Sequence, residues 1–349
     1  MDTSVMITLG FLVFAIVMFA WEKIPLSITA MVVAVGLHLS GVLSAKEAFA
    51  GFVDPNVLLF MGMFVIGEAF FATGVAVGVG NVVHKFAKTE TSLLVAVMMI
   101  TGILSGFLSN TGTAAVLIPV IIGICKKSGF KQTKLLMPLV FAAAMGGNIS
   151  LIGAPGNMIA QAGLQQAGLG SFGFFDYGLV GLPILIVGTI FYATIGKRFL
   201  PDAPSHQPDG AFEGNDDYSH VPSWKKWTSA LVLILTVGAM IFEKQLGVKL
   251  YVSAWVGALV LVATNVISES AAVRSIDMKT IMLFAGSMAL GDAMVKTGTG
   301  SVIADIIVNS LGASPSPIVV LVVIFVLGVF MTNFMSNTAT CALLVPIGL

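Results

Sequence analysis

Apolar stretches long enough to cross a bilayer as helices, about 20 residues each, recur along the whole chain. They lie at 4–21, 25–43, 56–76, 134–163 (interrupted), 177–196, 228–242, 251–268 and 280–296. Because 57% of the residues are hydrophobic and only 10% are charged, the polar surface is too small to coat a soluble globule. The sequence therefore predicts an all-α polytopic membrane protein.

Two further apolar segments, 92–125 and 316–349, each carry an uncharged Ser-Asn-Thr triplet near the middle. The first reads FLSNTGTAAVLIP over 107–119 and the second reads FMSNTATCALLVP over 334–346, with a proline at the same distance after each triplet. Backbone that stops being helical inside a membrane is tolerated only where it is buried in protein or lines a cavity. We therefore expect two re-entrant helical hairpins with the triplets at their tips.

The two halves of the chain are related by an internal duplication. LFMGMFVIGEAFFATG, from position 59, aligns with LFAGSMALGDAMVKTG, from 283, and the triplets align at a shift of 227 residues. We assign a first repeat to 1–200, a polar cytoplasmic linker to 201–226 and a second repeat to 227–349. The second repeat stops after its hairpin, so we expect the chain to be a fragment that lacks a second broken helix and a last span.

The positive charges in the short loops set the predicted orientation. If the hairpins return to the side they entered, one side of the membrane collects thirteen Lys and Arg residues and the other side only four, which are Lys46, Lys244, Lys249 and Lys296. The first side is then cytoplasmic, with the N-terminus outside and the protein in the cytoplasmic membrane. Five crossings separate the starts of the repeats, so their topologies are inverted. Secondary transporters often build one midplane site from inverted repeats with paired broken elements.

The triplets carry chemistry suited to small ions. Hydroxyl, amide and freed backbone oxygens are neutral donors for a desolvated cation, whereas N–H groups at the start of a half-helix hold an anion. A third break, GGNISLIGAPGN over 146–157, interrupts the span 134–163 and offers more backbone groups. Packing against neighbouring helices is the simpler interpretation of one such triplet, but two triplets at matched positions favour a binding site.

These motifs resemble the divalent anion:sodium symporters of the ion transporter superfamily over essentially the whole chain. The resemblance implies sodium ions held by Ser105, Ser109, Asn110 and Gly153 in one site, and by Thr332, Ser336 and Asn337 in another. It implies a carboxylate or sulfate substrate held by Ser109, Asn110, Thr111, Ala154, Pro155, Ser336, Asn337 and Thr338. Ala154 stands where the family often has Thr, which removes one hydroxyl. The resemblance further implies a homodimer, an elevator-type motion and no organic cofactor.

Other functions remain as alternatives. A sodium-independent anion exchanger could use the same triplets. Glu68 and Asp292 occupy equivalent repeat positions inside spans, and an ionisable residue there favours a cation/proton antiporter. An ion channel or an intramembrane hydrolase is a weaker interpretation, because the hairpins carry no ring of charge and no His accompanies Ser105 or Ser109 as a base. We therefore predict a transporter that is not an enzyme and binds no nucleic acid.

Overall fold

The computed structural model describes residues 2–78, 89–128, 130–201, 218–303 and 316–348, and every regular element within these ranges is a helix. The α-helices are α1 (Thr3–Trp21), α2 (Leu26–Leu39), α3 (Ala45–Ala48), α4 (Pro55–Ala72), α5 (Glu90–Ser105), α6 (Asn110–Ser128), α7 (Thr133–Gly146), α8 (Pro155–Gln166), α9 (Gly178–Thr194), α10 (Ser223–Ile241), α11 (Glu243–Leu246), α12 (Leu250–Ala263), α13 (Glu269–Ser275), α14 (Met278–Thr297), α15 (Pro317–Met331) and α16 (Asn337–Gly348). Short 3-10 helices lie between them at Ala50–Val53, Gly196–Arg198 and Tyr218–His220.

The all-α polytopic architecture predicted from the sequence is confirmed. Helices α1, α4, α10 and α14 are each long and apolar enough to cross a membrane, and shorter apolar helices accompany them. Both predicted hairpin segments consist of two helices separated by a break, and the predicted span 134–163 is divided into α7 and α8 by residues 147–154. Within the linker assigned to 201–226, residues 202–217 lie outside the described residues, as do Lys85 and Lys88, which entered the charge count.

Side-chain caps set where the two hairpins begin. The Thr89 hydroxyl accepts from the Ser92 amide at 3.1 Å before α5, and the Ser316 hydroxyl accepts from the Val319 amide at 3.4 Å before α15. Pro317 then occupies the first turn of α15, where a missing N–H costs nothing. The caps satisfy amide groups that a helix start leaves without partners.

The chain divides into two compact units. Unit A comprises Met1–Leu58, Pro155–Ser171 and Asp277–Leu349, and unit B comprises Leu59–Ala154 and Phe172–Ile276. The division falls inside α4 and at the Ala154–Pro155 bond, so each unit draws residues from both predicted repeats.

Unit A has its core between α1, α2, α14 and α16. Buried residues of this core include Phe19, Leu37, Leu290 and Leu343. Helices α2 and α14 approach so closely that a Cβ on Gly286 would overlap the Ala30 backbone. Small residues that let helix backbones meet are the usual packing device in membranes, where the apolar solvent gives helices little reason to associate.

Unit B has a core between α5, α6, α7 and α9, which includes Leu93, Met98, Leu139 and Leu185. Gly146, the last residue of α7, lies against the backbone of Gly102 in α5. This contact brings the end of α7, and the break that follows it, to the first hairpin.

Candidate functional site

The first triplet lies where α5 gives way to α6 in unit B. Ser109 precedes α6, and its Oγ accepts from the Gly112 amide at 3.1 Å, the geometry of an N-cap. Ser109 and Thr111 are exposed, and Asn110 is half-buried. The cap orders the first turn of α6 and leaves a helix start, with its partial positive charge, at the exposed end of the triplet.

Asn110 joins this turn to the broken helix. Fully buried Ser105 donates through Oγ to the Ala143 carbonyl at 2.7 Å. The Asn110 amide lies 2.7 Å from Ser105 Oγ and 3.2 Å from the carbonyl oxygens of both Ala143 and Gly153. We assign the amide nitrogen to this side, because an amide oxygen there would face only acceptors.

The same geometry suits a cation when the Asn110 amide turns over. Its oxygen then lies close to Ser105 Oγ and the carbonyl oxygens of Ala143 and Gly153, which places four neutral oxygens next to one another. Such oxygens are the ligands that hard cations prefer. The structure thus brings together Ser105, Asn110 and Gly153, which are three of the four residues predicted for the first sodium site. It adds the Ala143 carbonyl, which sequence reasoning missed because a backbone oxygen has no residue-type signal.

Residues 147–154 of the break are held through their backbone. A Cβ on Gly147 would lie 2.5 and 2.8 Å from the two terminal atoms of the Asn110 amide, so only glycine leaves room for that amide. Ser150 donates through Oγ to the Gly106 carbonyl, and the Leu151 amide donates to the Phe174 carbonyl at 2.9 Å. Ser150, within the GGNISLIGAPGN motif, thus holds the break against the first hairpin, a role that its residue type alone does not indicate.

The predicted substrate residues Ala154 and Pro155 lie where the break ends and α8 begins. Ala154 and Pro155 are half-buried, and Pro155 is the first residue of the helix. Proline is common at the first position of a helix because its fixed φ suits the first turn. In unit A, the next residue, Gly156, packs against α16, since a Cβ there would lie 2.7 Å from Cys341 Sγ.

The second triplet lies in unit A, between α15 and α16. Ser336 Oγ accepts from the Ala339 amide at 3.2 Å, which repeats the cap of the first triplet. Thr332, the counterpart of Ser105, instead donates to the Val329 carbonyl in its own helix at 3.0 Å. Ser336 and Asn337 are exposed and Thr338 is half-buried. The structure therefore repeats the cap of the first triplet and shows a different arrangement for Thr332.

Several charged residues of unit A interact with polar neighbours in the same unit. Lys296 donates to both carboxylate oxygens of Glu47, at 2.8 and 2.9 Å. The hydrogen bonds from Lys296, together with those from Ser44, lower the pKa of Glu47 to about 2. Burial raises the pKa of Asp54, although hydrogen bonds from Asn56 oppose the shift. Among the described residues, no group of three or more His, Cys, Asp or Glu side chains could hold a metal ion.

Glu68 and Asp292, the predicted alternative sites, are both half-buried. Glu68 lies in the part of α4 that belongs to unit B, whereas Asp292 lies in α14 of unit A. Asp292 lies close enough to Glu47 and Asp54 to interact with both electrostatically.

Several known proteins are similar to this chain. An uncharacterized transporter of Haemophilus influenzae is 27% identical over 97% of this chain and 75% of its own length. The uncharacterized transporter YfbS of Escherichia coli is 33% identical over 60% of this chain, and the match spans 35% of the E. coli protein. The sodium-dependent dicarboxylate transporter SdcS of Staphylococcus saprophyticus is 24% identical over 93% of this chain and 69% of its own length.

A solved structure shares the fold. The crystal structure of the Alcanivorax borkumensis YdaH transporter superposes with a TM-score of 0.59, covering 99% of this chain and 82% of that chain, at 15% sequence identity. The family described as CitMHS, citrate transporter, matches residues 16–349. The protein is thus a transport protein of the membrane and not an enzyme. It belongs to the CitMHS citrate transporter family, within the divalent anion:sodium symporter group that the paired triplets predicted.

Proposed function

We propose that the chain is a secondary active transporter that moves a small divalent anion, a dicarboxylate, tricarboxylate or sulfate, together with sodium. The observation that carries this proposal is the convergence of the Ser105 hydroxyl and the Ala143 and Gly153 carbonyl oxygens around the Asn110 amide of the first triplet. The family match and the relative named as a sodium-dependent dicarboxylate transporter also support the proposal.

Sodium binding at the first site requires a rotation of the Asn110 amide. Without an ion, the amide nitrogen satisfies the surrounding oxygens, so the site is closed by its own hydrogen bonds. With an ion, the amide oxygen faces inward and the ion takes over the role of the donor. The side chains of Ser109 and, at the second site, of Thr332, Ser336 and Asn337 complete the proposed sodium ligands.

We assign the anion to the helix starts of the two triplets. Ser109, Asn110 and Thr111 lie at the start of α6, and Ser336, Asn337 and Thr338 lie at the start of α16. The first backbone N–H groups of a helix have no partner within the helix and can hold an anion. Ala154 and Pro155 contribute the start of α8. A neighbouring sodium ion offsets the negative charge of the anion, which couples the two binding events.

The remaining features follow the family resemblance. We propose a homodimer in the cytoplasmic membrane, with the N-terminus outside and an elevator-type motion of the hairpins and broken helix. A proton-coupled antiporter is the second candidate, and the observation that favours it is half-buried Asp292 close to Glu47 and Asp54. Sodium-independent anion exchange is the third, and the same experiment distinguishes it.

Thermal unfolding of the purified chain tests the proposal, because a ligand that binds the native state raises its stability. Melting is measured in sodium or choline chloride, each with and without succinate, citrate or sulfate. We expect one anion to stabilise only in sodium, and N110A and N337A to remove that stabilisation while the variants still melt cooperatively. Equal stabilisation by the anion in choline and in sodium would favour the exchanger. Loss of ligand stabilisation in D292N, but not in N110A or N337A, would favour the antiporter.

A further inference from the structure

The two triplets differ in what packs against the helix start behind them. In unit B, the ring of Phe71, at the end of α4, lies on the first turn of α6. A Cβ built on Gly112 would be 2.6 Å from Phe71 Cε2 and 3.1 Å from Phe71 Cζ. The ring therefore touches the backbone of the residue whose amide donates to Ser109 Oγ.

The internal repeat has different residues at both positions of this contact. At the repeat shifts of 224 and 227 residues, Phe71 corresponds to Val295 and Gly112 to Ala339. The large side chain faces a glycine in the first repeat, whereas the second repeat has a smaller side chain and an alanine. Val295 is 70% exposed, and Ala339 is fully buried. Phe71 thus braces the first triplet, and the residue at its repeat position, Val295, is not aromatic.

The first turn of α6 is held from two sides within unit B. On one side, the Asn110 amide meets Ser105, Ala143 and Gly153. On the other side, Phe71 covers Gly112. One turn earlier along α4, a Cβ built on Gly67 would lie 3.8 Å from Leu108 Cδ2. A side chain that packs here limits how far the turn can move away from the carbonyl oxygens of the break.

We propose that Phe71 is a positioning residue, which acts through Gly112 to hold the first Ser-Asn-Thr turn in register with the Ala143 and Gly153 carbonyl oxygens. The inference rests on the proposed function in one respect: the oxygens so aligned are those offered to sodium. The bracing itself is a property of the fold and is tested without any ligand.

The first test measures the opening of the turn. T113C is placed in a chain that carries C125A and C341A, and its reaction with a maleimide is followed in choline chloride without anion. Thr113 is buried, so labelling reports local opening. Removal of the ring should raise the equilibrium constant for local opening of the turn about tenfold. We therefore expect F71A to speed labelling about tenfold. V295A, the matched control, leaves the rate unchanged.

A complementary pair checks that Gly112 transmits the effect. G112A places a methyl group 2.6 Å from the Phe71 ring and 2.7 Å from Ser109 Oγ and speeds labelling. F71V/G112A relieves the contact with the ring and therefore labels more slowly than G112A. F71L gives an intermediate rate and serves if F71A does not elute as a folded protein. An unchanged rate in F71A and F71L, or a double variant as fast as G112A, overturns the proposal.

A second readout separates positioning from general stability. In F71L, the sodium concentration for half-maximal thermal stabilisation rises several-fold, while melting without sodium changes little. A half-maximal concentration equal to that of the parent chain overturns the positioning role. If sodium does not stabilise the parent chain at all, the proposed sodium coupling fails, and the labelling rates still decide whether Phe71 braces the turn.

Discussion

Asn110 is sensitive to the residue that faces it across the break. Gly147→Ala would place a methyl carbon 2.5 and 2.8 Å from the two terminal atoms of the Asn110 amide, and overpacking of this kind costs about 1–3 kcal/mol. We expect G147A to displace the amide and abolish stabilisation by sodium and anion. Thermal melting with and without these ligands measures the loss.

Gly123→Ala is the matched control for this variant, since nothing lies within 4 Å of a Cβ at that position of α6. A glycine in a helix interior is less favourable than alanine by about 1 kcal/mol, so G123A should melt at or above the parent temperature and keep its ligand response. Normal ligand stabilisation in G147A would contradict the assigned geometry.

Glu47 and Lys296 give the protein one predictable response to acid. The pKa of Glu47 is lowered from 4.5 to about 2, chiefly by the hydrogen bond from Lys296. The pair therefore contributes stability fully above the ordinary pKa, and this contribution is lost as the pH falls from 4.5 toward about 2. We expect the melting temperature of E47Q to fall less steeply over this range than that of the parent.

The partner variant identifies the source of the acid response. K296M should show a dependence between those of the parent and E47Q, because the hydrogen bonds from Ser44 to Glu47 remain, and the double variant should match E47Q. Both side chains are partly exposed, so salt should reduce the difference. A steep acid response that persists in K296M would show that other groups cause it.

At the scale of elements, the broken helix depends on α9. The break rests on the start of α9, where a Cβ on Gly178 would lie 2.8 Å from the Ile149 carbonyl oxygen and one on Gly181 would overlap the Asn148 carbonyl. Backbone cannot move aside as a side chain can, so α9 must present glycine at these positions. The break is thereby held against a helix of its own unit.

Gly181→Ala should push α9 away from the break. We expect it to destabilise unit B by roughly 1–3 kcal/mol, the usual range for overpacking, and to weaken ligand stabilisation. Gly188→Ala is the control on the same helix, because its Cβ would meet only the flexible Met145 side chain, with Sδ at 2.5 Å. Thermal melting compares the two, and equal losses would argue against a special role for the Gly181 contact.

At the scale of the whole molecule, the repeats and the compact units divide the chain differently. The repeats are consecutive halves in sequence, whereas units A and B each combine distant segments. The first triplet belongs to unit B and the second to unit A, although both have the same cap at Ser109 and Ser336.

The orientation across the membrane is tested at the two ends of α2. Lys23 and Lys46 are both exposed and flank this helix. The charge distribution predicts that Lys46 lies outside and Lys23 in the cytoplasm. In intact cells, an impermeant maleimide should label K46C and leave K23C unlabelled until the membrane is permeabilised. The reverse pattern would invert the predicted topology, and labelling of both would mean that α2 does not span.

The sequence alone predicted the helical membrane class, both breaks with their triplets, and the family. Hydrophobic length and the solvation of backbone groups act locally, so they can be read from a single chain. The same holds for Ser109, Asn110 and Gly153, because a hydroxyl, an amide and a glycine inside an apolar run stand out by residue type.

Only the tertiary structure decided which of these groups meet. The Ala143 carbonyl, the Ser150 hydroxyl bond to Gly106 and the Phe71 contact with Gly112 join residues distant in sequence. Carbonyl oxygens carry no residue-type signal, and a phenylalanine in an apolar helix looks like any other packing residue. Their roles arise from close backbone approach, which depends on how helices pack and not on local pattern.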